Sequence, residues 1–366
     1  MTSRRESSQS FAENLGQQNR RAILWIILLF AFLLLALGAI AIYLYIAQIH
    51  RLTAEIQKDL TTIYEAKIES ISYWRQERLG DARVISTHSM MEDAVTHLVE
   101  NPGDANDREV ITDWLTTFLE AYGYDSYQLV DVNGKVLLTS SGAISDRPPE
   151  ILAVMQQAIE EDRVILTDFY QSQTSPDIFL DLLVPITDPV DLAKPSIALC
   201  VLRIDPNDYL YPMIQTWPVT SASGETVLFR QDGRYVTYLN SLRFIQDSAL
   251  KFQYPADNPD LPAARIARGD VSIGEGVDYR GVRVFYGGAR IPDTNWYLLA
   301  KIDRDALLAE ARRQGWRSEE RRVGKECRSR RSSQEYKQIT HVQPYTVLPS
   351  EPNQFRSTVD LIPTIA

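Results

Sequence analysis

The first strong pattern along the chain is a long stretch without polar interruption. From Ala22 to Ala47 the sequence AILWIILLFAFLLLALGAIAIYLYIA carries no charged residue. About 20 apolar residues span a bilayer core of about 30 Å, so the run predicts a transmembrane helix with some tilt. Trp25 at one end and Tyr43 and Tyr45 at the other sit where interfacial anchors sit. Arg4, Arg5, Arg20 and Arg21 precede the run, which predicts a cytoplasmic N-terminus. A cleaved signal peptide fits less well, because the apolar run is long and no small-residue cleavage site follows it.

The pattern then changes period. Between Leu52 and about Thr87, long or apolar side chains recur at Tyr64, Ile68, Ile71, Arg75, Arg78, Ala82 and Ile85, in steps of four and three. This predicts one long stalk helix, packed on its own domain or against a twin in a homodimer. A second helix is expected over Arg108–Tyr122. Alternating segments follow. Asn133-Gly134 joins Tyr127–Val132 to Lys135–Thr139 as a hairpin. Glu150–Glu161 reads as an amphipathic helix, and Val164–Asp168, Ile178–Ile186 and Ser196–Ile204 as strands. Asp205-Pro206 reads as a helix start running to about Thr216.

The grammar then repeats. Asp232-Gly233 joins Glu225–Arg230 to Arg234–Leu239, Val282–Arg290 and Trp296–Ile302 read as strands, and Asp303 caps a helix expected over Arg304–Arg313. The two turn glycines stand 233 − 134 = 99 residues apart. The aspartates of VLRID and LAKID stand 303 − 205 = 98 apart. One shared offset at two landmarks predicts a duplicated unit of about 100 residues. The fold class is therefore α/β in the α+β sense: a transmembrane helix, a stalk helix and two tandem antiparallel-sheet units. The segments are a cytoplasmic stub (1–21), the span (22–47), stalk and membrane-distal unit (48–204), membrane-proximal unit (205–316) and a tail (317–366).

Composition narrows the chemistry. The chain has 366 residues with a net charge of −10, which argues against general nucleic-acid binding. The charge is uneven: +2 over 1–47, −15 over 48–316 and +3 over 317–366. Two cysteines, Cys200 and Cys327, exclude a disulfide scaffold and a four-cysteine zinc site. Cys200, inside the apolar SIALCVLRI, reads as a buried strand thiol. His50, His88, His97 and His341 show no metal-ligand spacing, so no metal and no cofactor are expected. Gly274-Glu275-Gly276 is read as a loop rather than a phosphate cradle, and the DYRG at 278–281 as a turn. No P-loop, nucleophile elbow or metalloprotease string is present, so a membrane-anchored enzyme has little in the sequence behind it.

Several strings carry a family likeness. ISYWRQERLGDAR (71–83), YQLVDVNGKVLLTS (127–140), LRIDPNDYLYPMIQTWP (202–218), ETVLFRQDGRYVTYLNSLR (225–243), GEGVDYRGVRV (274–284) and IPDTNWYLLAKIDRDAL (291–307) resemble the double Cache sensory regions of bacterial membrane-bound histidine kinases and diguanylate cyclases. The resemblance covers about residues 20–315. It implies PAS-like Cache units outside the inner membrane, a small-molecule ligand, and the role of a sensing input module cut off from its output domain. A chemoreceptor sensory region and a periplasmic structural or adhesion protein are the alternatives. It also implies a ligand pocket within about 70–200, for which Arg78, Tyr127, Asp168, Tyr170 and Asp181 are the candidate lining: an arginine for a carboxylate, tyrosines as walls, an aspartate for an ammonium group. The amino-acid-binding signature pairs an arginine with a nearby Trp-Tyr; no arginine here has that neighbour, so an amino-acid ligand is not implied. RSEERRVGKECRSR (317–330) resembles the in-frame translation of a DNA-sequencing adapter, and the following 331–366 reads as disordered.

Overall fold

A computed structural model of the chain describes residues 3–140, 146–188, 196–218, 221–270 and 272–307. The tail at 317–366 and most of the helix expected over Arg304–Arg313 lie outside the described residues.

Helix α1, Ser3–Ser86, runs without a break through both the apolar stretch and the stalk. Its 84 residues rise about 126 Å at 1.5 Å each. Along the described part of the apolar stretch the large side chains stand open: Trp25, Leu28, Phe32 and Leu35 are each more than half exposed. This one helix is long and apolar enough to cross a membrane. Further along, Ile56, Leu60, Tyr64, Ile71, Trp74, Ala82 and Ile85 are buried. Their spacing puts them on one face, and that face packs onto strands of both sheets described below. The stalk's apolar stripe is thus occupied within its own chain. Its outward positions, such as Thr62, Glu69, Ser70 and Tyr73, are exposed and mostly polar. Cations tie the stalk down. Lys67 Nζ donates to the Met213 carbonyl, Arg75 to the carbonyls of Pro292 and Asp293 at 3.2 and 3.1 Å, and Arg78 to the Tyr122 carbonyl at 2.9 Å.

Two helices follow. Helix α2, Ser89–Glu100, was not anticipated; α3 covers Ala105–Tyr122. Asp104 caps α3 by accepting from the backbone N–H groups of Asn106 and Asp107, and Gly123 ends it in the left-handed region at φ 72°.

The first sheet holds β1 (Ser126–Asp131), β2 (Val136–Thr139), β3 (Ile165–Leu166), β4 (Tyr170–Gln171), β5 (Ile178–Ile186) and β6 (Ala198–Ile204), with α4 (Pro149–Glu160) between β2 and β3. Its order is β2-β1-β6-β5-β3, with β4 also on β5. After α5 (Leu210–Gln215), the second sheet holds β7 (Glu225–Asp232), β8 (Tyr235–Tyr238), β9 (Gln253–Pro255), β10 (Ile273–Val277), β11 (Arg283–Arg290) and β12 (Trp296–Asp303), with α6 (Pro262–Ala267) before β10. Its order is β10-β11-β12-β7-β8-β9. Leaving aside edge strands β4 and β9, both sheets read 2-1-5-4-3 in their own strand count. The repeat inferred from the 98–99-residue offset is therefore a repeat of topology.

Two local expectations are corrected. Asp205 does not start a helix: its carboxylate accepts from Asn207 N at 2.8 Å in a turn, and α5 begins at Leu210. Gly274-Glu275-Gly276 lies inside strand β10, paired with β11. Gly276 has a reason to be glycine there, since a Cβ would stand 2.7 Å from the Asp260 carbonyl oxygen.

Period two gives the first sheet two buried faces. Leu180, Leu182, Val184 and Ile186 of β5, with Ala198, Cys200, Leu202 and Ile204 of β6, join the stalk-side core. Leu183, Leu199 and Val201 point the other way, against Met155, Ala158 and Ile159 of α4. The charged side chains of the central strands stand on this second, α4-facing side.

Candidate functional site

The central strands of the first sheet put polar side chains on their α4 side near one end, among them Gln128 of β1, Asp181 of β5 and Arg203 of β6. The ladder sets them side by side, because Asp181 pairs with Arg203 in register and Gln128 lies on the strand flanking Arg203. Asp146 and Arg147, just before α4, and Tyr170 of β4 close over them. All six residues are 6% exposed or less.

The bonds form one network. Arg147 Nε donates to Asp181 Oδ2 at 2.6 Å and its Nη2 to Oδ1 at 3.3 Å, while its Nη1 donates to Gln128 Oε1 at 2.8 Å. Tyr170 OH donates to Asp181 Oδ2 at 2.8 Å. Arg203 forks onto Asp146, Nη1 to Oδ2 at 3.0 Å and Nη2 to Oδ1 at 2.6 Å. Its Nη2 also reaches Tyr170 OH at 3.3 Å, and its guanidinium lies 4.4 Å from the Phe179 ring centre. Ser172 Oγ donates to Asp146 Oδ2 at 2.8 Å. Burial alone would raise the Asp146 carboxyl, but the Arg203 and Ser172 hydrogen bonds outweigh it and hold it below the ordinary carboxylate range. Burial, with the Asp181 charge behind it, pushes the Tyr170 phenol well up, so it is a donor at neutral pH.

Two guanidiniums and two carboxylates in so dry a place are not explained by stability. Desolvation costs several kcal/mol per ion, and apolar residues of the same volume stabilise a fold as well or better. The cluster sets two cations and two carboxylates, each with fixed direction, side by side on one face of the sheet.

The five sequence candidates separate on this geometry. Tyr170 and Asp181 are brought together, 2.8 Å apart. Tyr127 is on the opposite, stalk-facing side of β1, where it lines a recess of about 400 Å³ with Thr112, Thr116 and Ser140. Arg78 belongs to the stalk: it pairs with Asp81 at 3.2 Å and lies over Tyr124 at 5.0 Å. Asp168 joins the two sheets. Its Oδ1 accepts from the Trp296 indole at 2.7 Å, and its Oδ2 from Asn295 at 2.8 Å and Arg230 at 2.9 Å. Arg78, Tyr127 and Asp168 therefore do not share one pocket with Tyr170 and Asp181. Reasoning from sequence missed Asp146, Arg147, Gln128 and Arg203. Arg203 had a visible signal: it is the lone charge in the buried strand ALCVLRI, and the same place in LAKID is Lys301.

The second sheet carries the counterpart. Lys301, 1% exposed, donates to Asp278 Oδ2 at 2.6 Å and pairs with Glu225 Oε2 at 2.8 Å. Tyr279 OH donates to Glu225 at 2.9 Å, and Arg280 pairs with Asp278 at 2.7 Å and with Asp303. The 278–281 turn was read as shaping the chain only; it also supplies this cluster. Among the described residues no group of His, Cys, Asp and Glu is placed to hold a metal.

No protein-family description matches the chain, and no curated protein does. Solved structures do. The sensory domain of the Campylobacter jejuni chemoreceptor Tlp3 matches at 12% identity and a TM-score of 0.51, over 70% of this chain and 97% of that one. The ligand-binding domain of the Pseudomonas fluorescens chemoreceptor CtaA, in complex with L-isoleucine, matches at 15% identity and 0.47, over 72% and 98%. That of the Pseudomonas aeruginosa PAO1 chemoreceptor PctB, in complex with L-Gln, matches at 13% and 0.47, over 69% and 93%. At these identities the likeness is one of architecture: the long helix and two sheets of this chain share the fold of the Tlp3 sensory domain.

Proposed function

We propose that the chain is the extracytoplasmic input module of a single-pass membrane receptor, sensing a small polar molecule at the α4 side of the first sheet. The carrying observation is the buried Arg147–Asp181–Tyr170–Arg203–Asp146 network. The fold shared with a chemoreceptor sensory domain supports the reading, although a fold alone does not assign a function. The apolar stretch of α1 anchors the module in the bacterial inner membrane, with the arginine-bearing N-terminus in the cytoplasm and both sheets outside. The module binds a ligand and leaves catalysis to an output partner. Its output partner is a histidine kinase or diguanylate cyclase by the sequence resemblance, and a chemoreceptor signalling domain by the likeness of fold. A homodimer through the stalk uses the outward stripe around Thr62, Ser70 and Tyr73, since the apolar stripe is already taken.

Signal follows from differential affinity: a ligand that binds one packing of sheet, α4 and stalk better than another shifts the population toward it. The test is a thermal-shift screen of the detergent-solubilised chain against small carboxylates, amines and purines. Stabilisation by one class, abolished in Asp181→Asn, is expected. Equal response of wild type and variant to every stabilising compound would move the site elsewhere.

A further inference from the structure

We propose that Arg203 is a carboxylate-binding subsite, and that Asp146 fills it as an internal stand-in when no ligand is present. The inference rests on the sensing function and names the ligand class: a small carboxylate.

The argument starts from the duplication. Arg203 and Lys301 hold the same place on the fifth strand of their sheets, and each faces a residue of the first strand in register: Arg203 faces Ser126, Lys301 faces Glu225. In the second sheet the cation has a counter-ion built into the ladder, since Glu225 Oε2 is 2.8 Å from Lys301 Nζ. Asp278 adds another at 2.6 Å. In the first sheet that ladder position holds a serine, whose hydroxyl donates to Asp125 and not to Arg203's partner. The first sheet keeps the buried cation without a counter-ion on its first strand; its ladder neighbour on the other side, Asp181, stands 3.8 Å from Arg203 Nε and is engaged by Arg147.

The charge of Arg203 is met by Asp146, which is outside the sheet, 57 residues away along the chain. The geometry is the parallel two-bond fork by which guanidinium binds any carboxylate. Asp146 also accepts from Ser172 Oγ at 2.8 Å. The fit to Arg203 is incomplete. Its Nε is buried and has no hydrogen-bond partner among the described residues; the nearest Asp181 oxygen stands at 3.8 Å. The neighbouring pair is different in kind, because Arg147 is fixed by two strand residues, Asp181 and Gln128. Beside Arg203, Phe179, Tyr170 and Ile151 form a small apolar cluster, a surface suited to the hydrocarbon part of a ligand. A carboxylate that takes the place of Asp146 keeps the cation paired and releases the Asp146 side chain that precedes α4.

An internal competitor that holds a subsite about nine-tenths of the time weakens apparent affinity about tenfold. The test uses the full chain in detergent and three variants, Asp146→Ala, Asp146→Asn and Asp146→Ala/Arg203→Met. Thermal midpoints are titrated with sodium acetate, propionate and butyrate, against chloride at equal ionic strength. D146A is expected to be less stable than wild type and to be restored saturably by the carboxylates. Its half-saturation should be about tenfold below that of wild type, and the response should vanish in the double variant. D146N, which keeps the shape of the side chain, should respond in the same direction if D146A does not fold. A folded D146A or D146N without a carboxylate response, or a response that survives loss of Arg203, overturns the proposal. Wild type stabilised by amines or purines alone, with silent D146 variants, overturns the proposal and leaves the sensing function standing. Carboxylate rescue in D146A, with no wild-type response to any compound, upholds the subsite and removes the sensing function.

Discussion

Replacing Asp181 by leucine is the sharpest probe of the buried network. The substitution keeps the branched four-atom outline of the side chain, with somewhat larger tips, but removes the carboxylate that serves Arg147 and Tyr170 together. Arg147 would remain with Gln128 as its one described partner, at 2% side-chain exposure. Asp181 is fully buried, so solvent screening gives no relief. Breaking a buried pair from one side costs about 3–5 kcal/mol, because the remaining charge is left desolvated. For a folded region of this size, at roughly 2–4 °C per kcal/mol, the thermal midpoint should fall by about 6–20 °C. Adding Arg147→Met removes the stranded charge, and apolar replacements of buried pairs are neutral or stabilising by about 1–4 kcal/mol. D181L should therefore be much weaker than R147M/D181L, a coupling far from additive. The assay is thermal unfolding of the detergent-solubilised chain by circular dichroism, with D181L, R147M and the double variant closing the cycle. Single variants each losing under about 1 kcal/mol, with an additive double, would mean a solvated pair and would refute the reasoning.

Three other outcomes are expected. Gly288→Ala should destabilise by about 1–3 kcal/mol or more through overpacking, since a Cβ there would stand 2.3 Å from the Leu298 carbonyl oxygen and 2.7 Å from Ile266 Cδ1; chemical denaturation measures it. Asp146 and Asp278 both have carboxyls held below their ordinary range, in each case against a burial effect that the neighbouring cations outweigh: Arg203 for the first, Lys301 for the second. Folded values below the unfolded value of about 3.9 contribute stability that is present above that pH and lost as pH falls through the folded values. Urea midpoints should thus be level from pH 7 to 5 and drop below about pH 4, and Asp278→Asn should flatten that drop. Cys200 is 1% exposed and burial pushes its thiol up to about 12. A thiol so far from ionisation is a poor nucleophile, so iodoacetamide should leave Cys200 unmodified in the folded chain and label it in urea; native labelling would contradict the burial.

What the sequence disclosed follows from which signals are local. Nine consecutive buried residues mark β5 at Ile178–Ile186, the same bounds read from the apolar run. The unbroken helix through the stalk was visible because no proline interrupts it before Ser86. Helix α2 was hidden by the Thr87-His88 junction, where His88 caps through its ring nitrogen, accepting from Met91 N at 3.3 Å, instead of by a hydroxyl or carboxylate. Strand β10 was hidden because it is an edge strand with glycine at alternate positions, paired on one side only. Asp181 was legible as an aspartate inside an apolar strand. Tyr127 shows the limit of alternation: period two divides β1 into two faces but does not say which one meets the stalk. Asp146 and Arg147 stand in a connection that carries no period, and only the closed sheet brings them to Arg203 and Asp181.

The absence of any joint in α1 has a mechanical consequence. The residues that fill both cores and the exposed apolar residues of the first half belong to one rod, so the sheets cannot turn about it without turning the apolar end by the same angle. One residue inserted between Ala47 and Leu52 would advance that end by about 1.5 Å and twist it by about 100°. Under the proposed sensing function, the handedness and phase of the signal would be set by the residue count of this short collar, and insertions or deletions there should invert or silence the output without touching a single contact in either sheet.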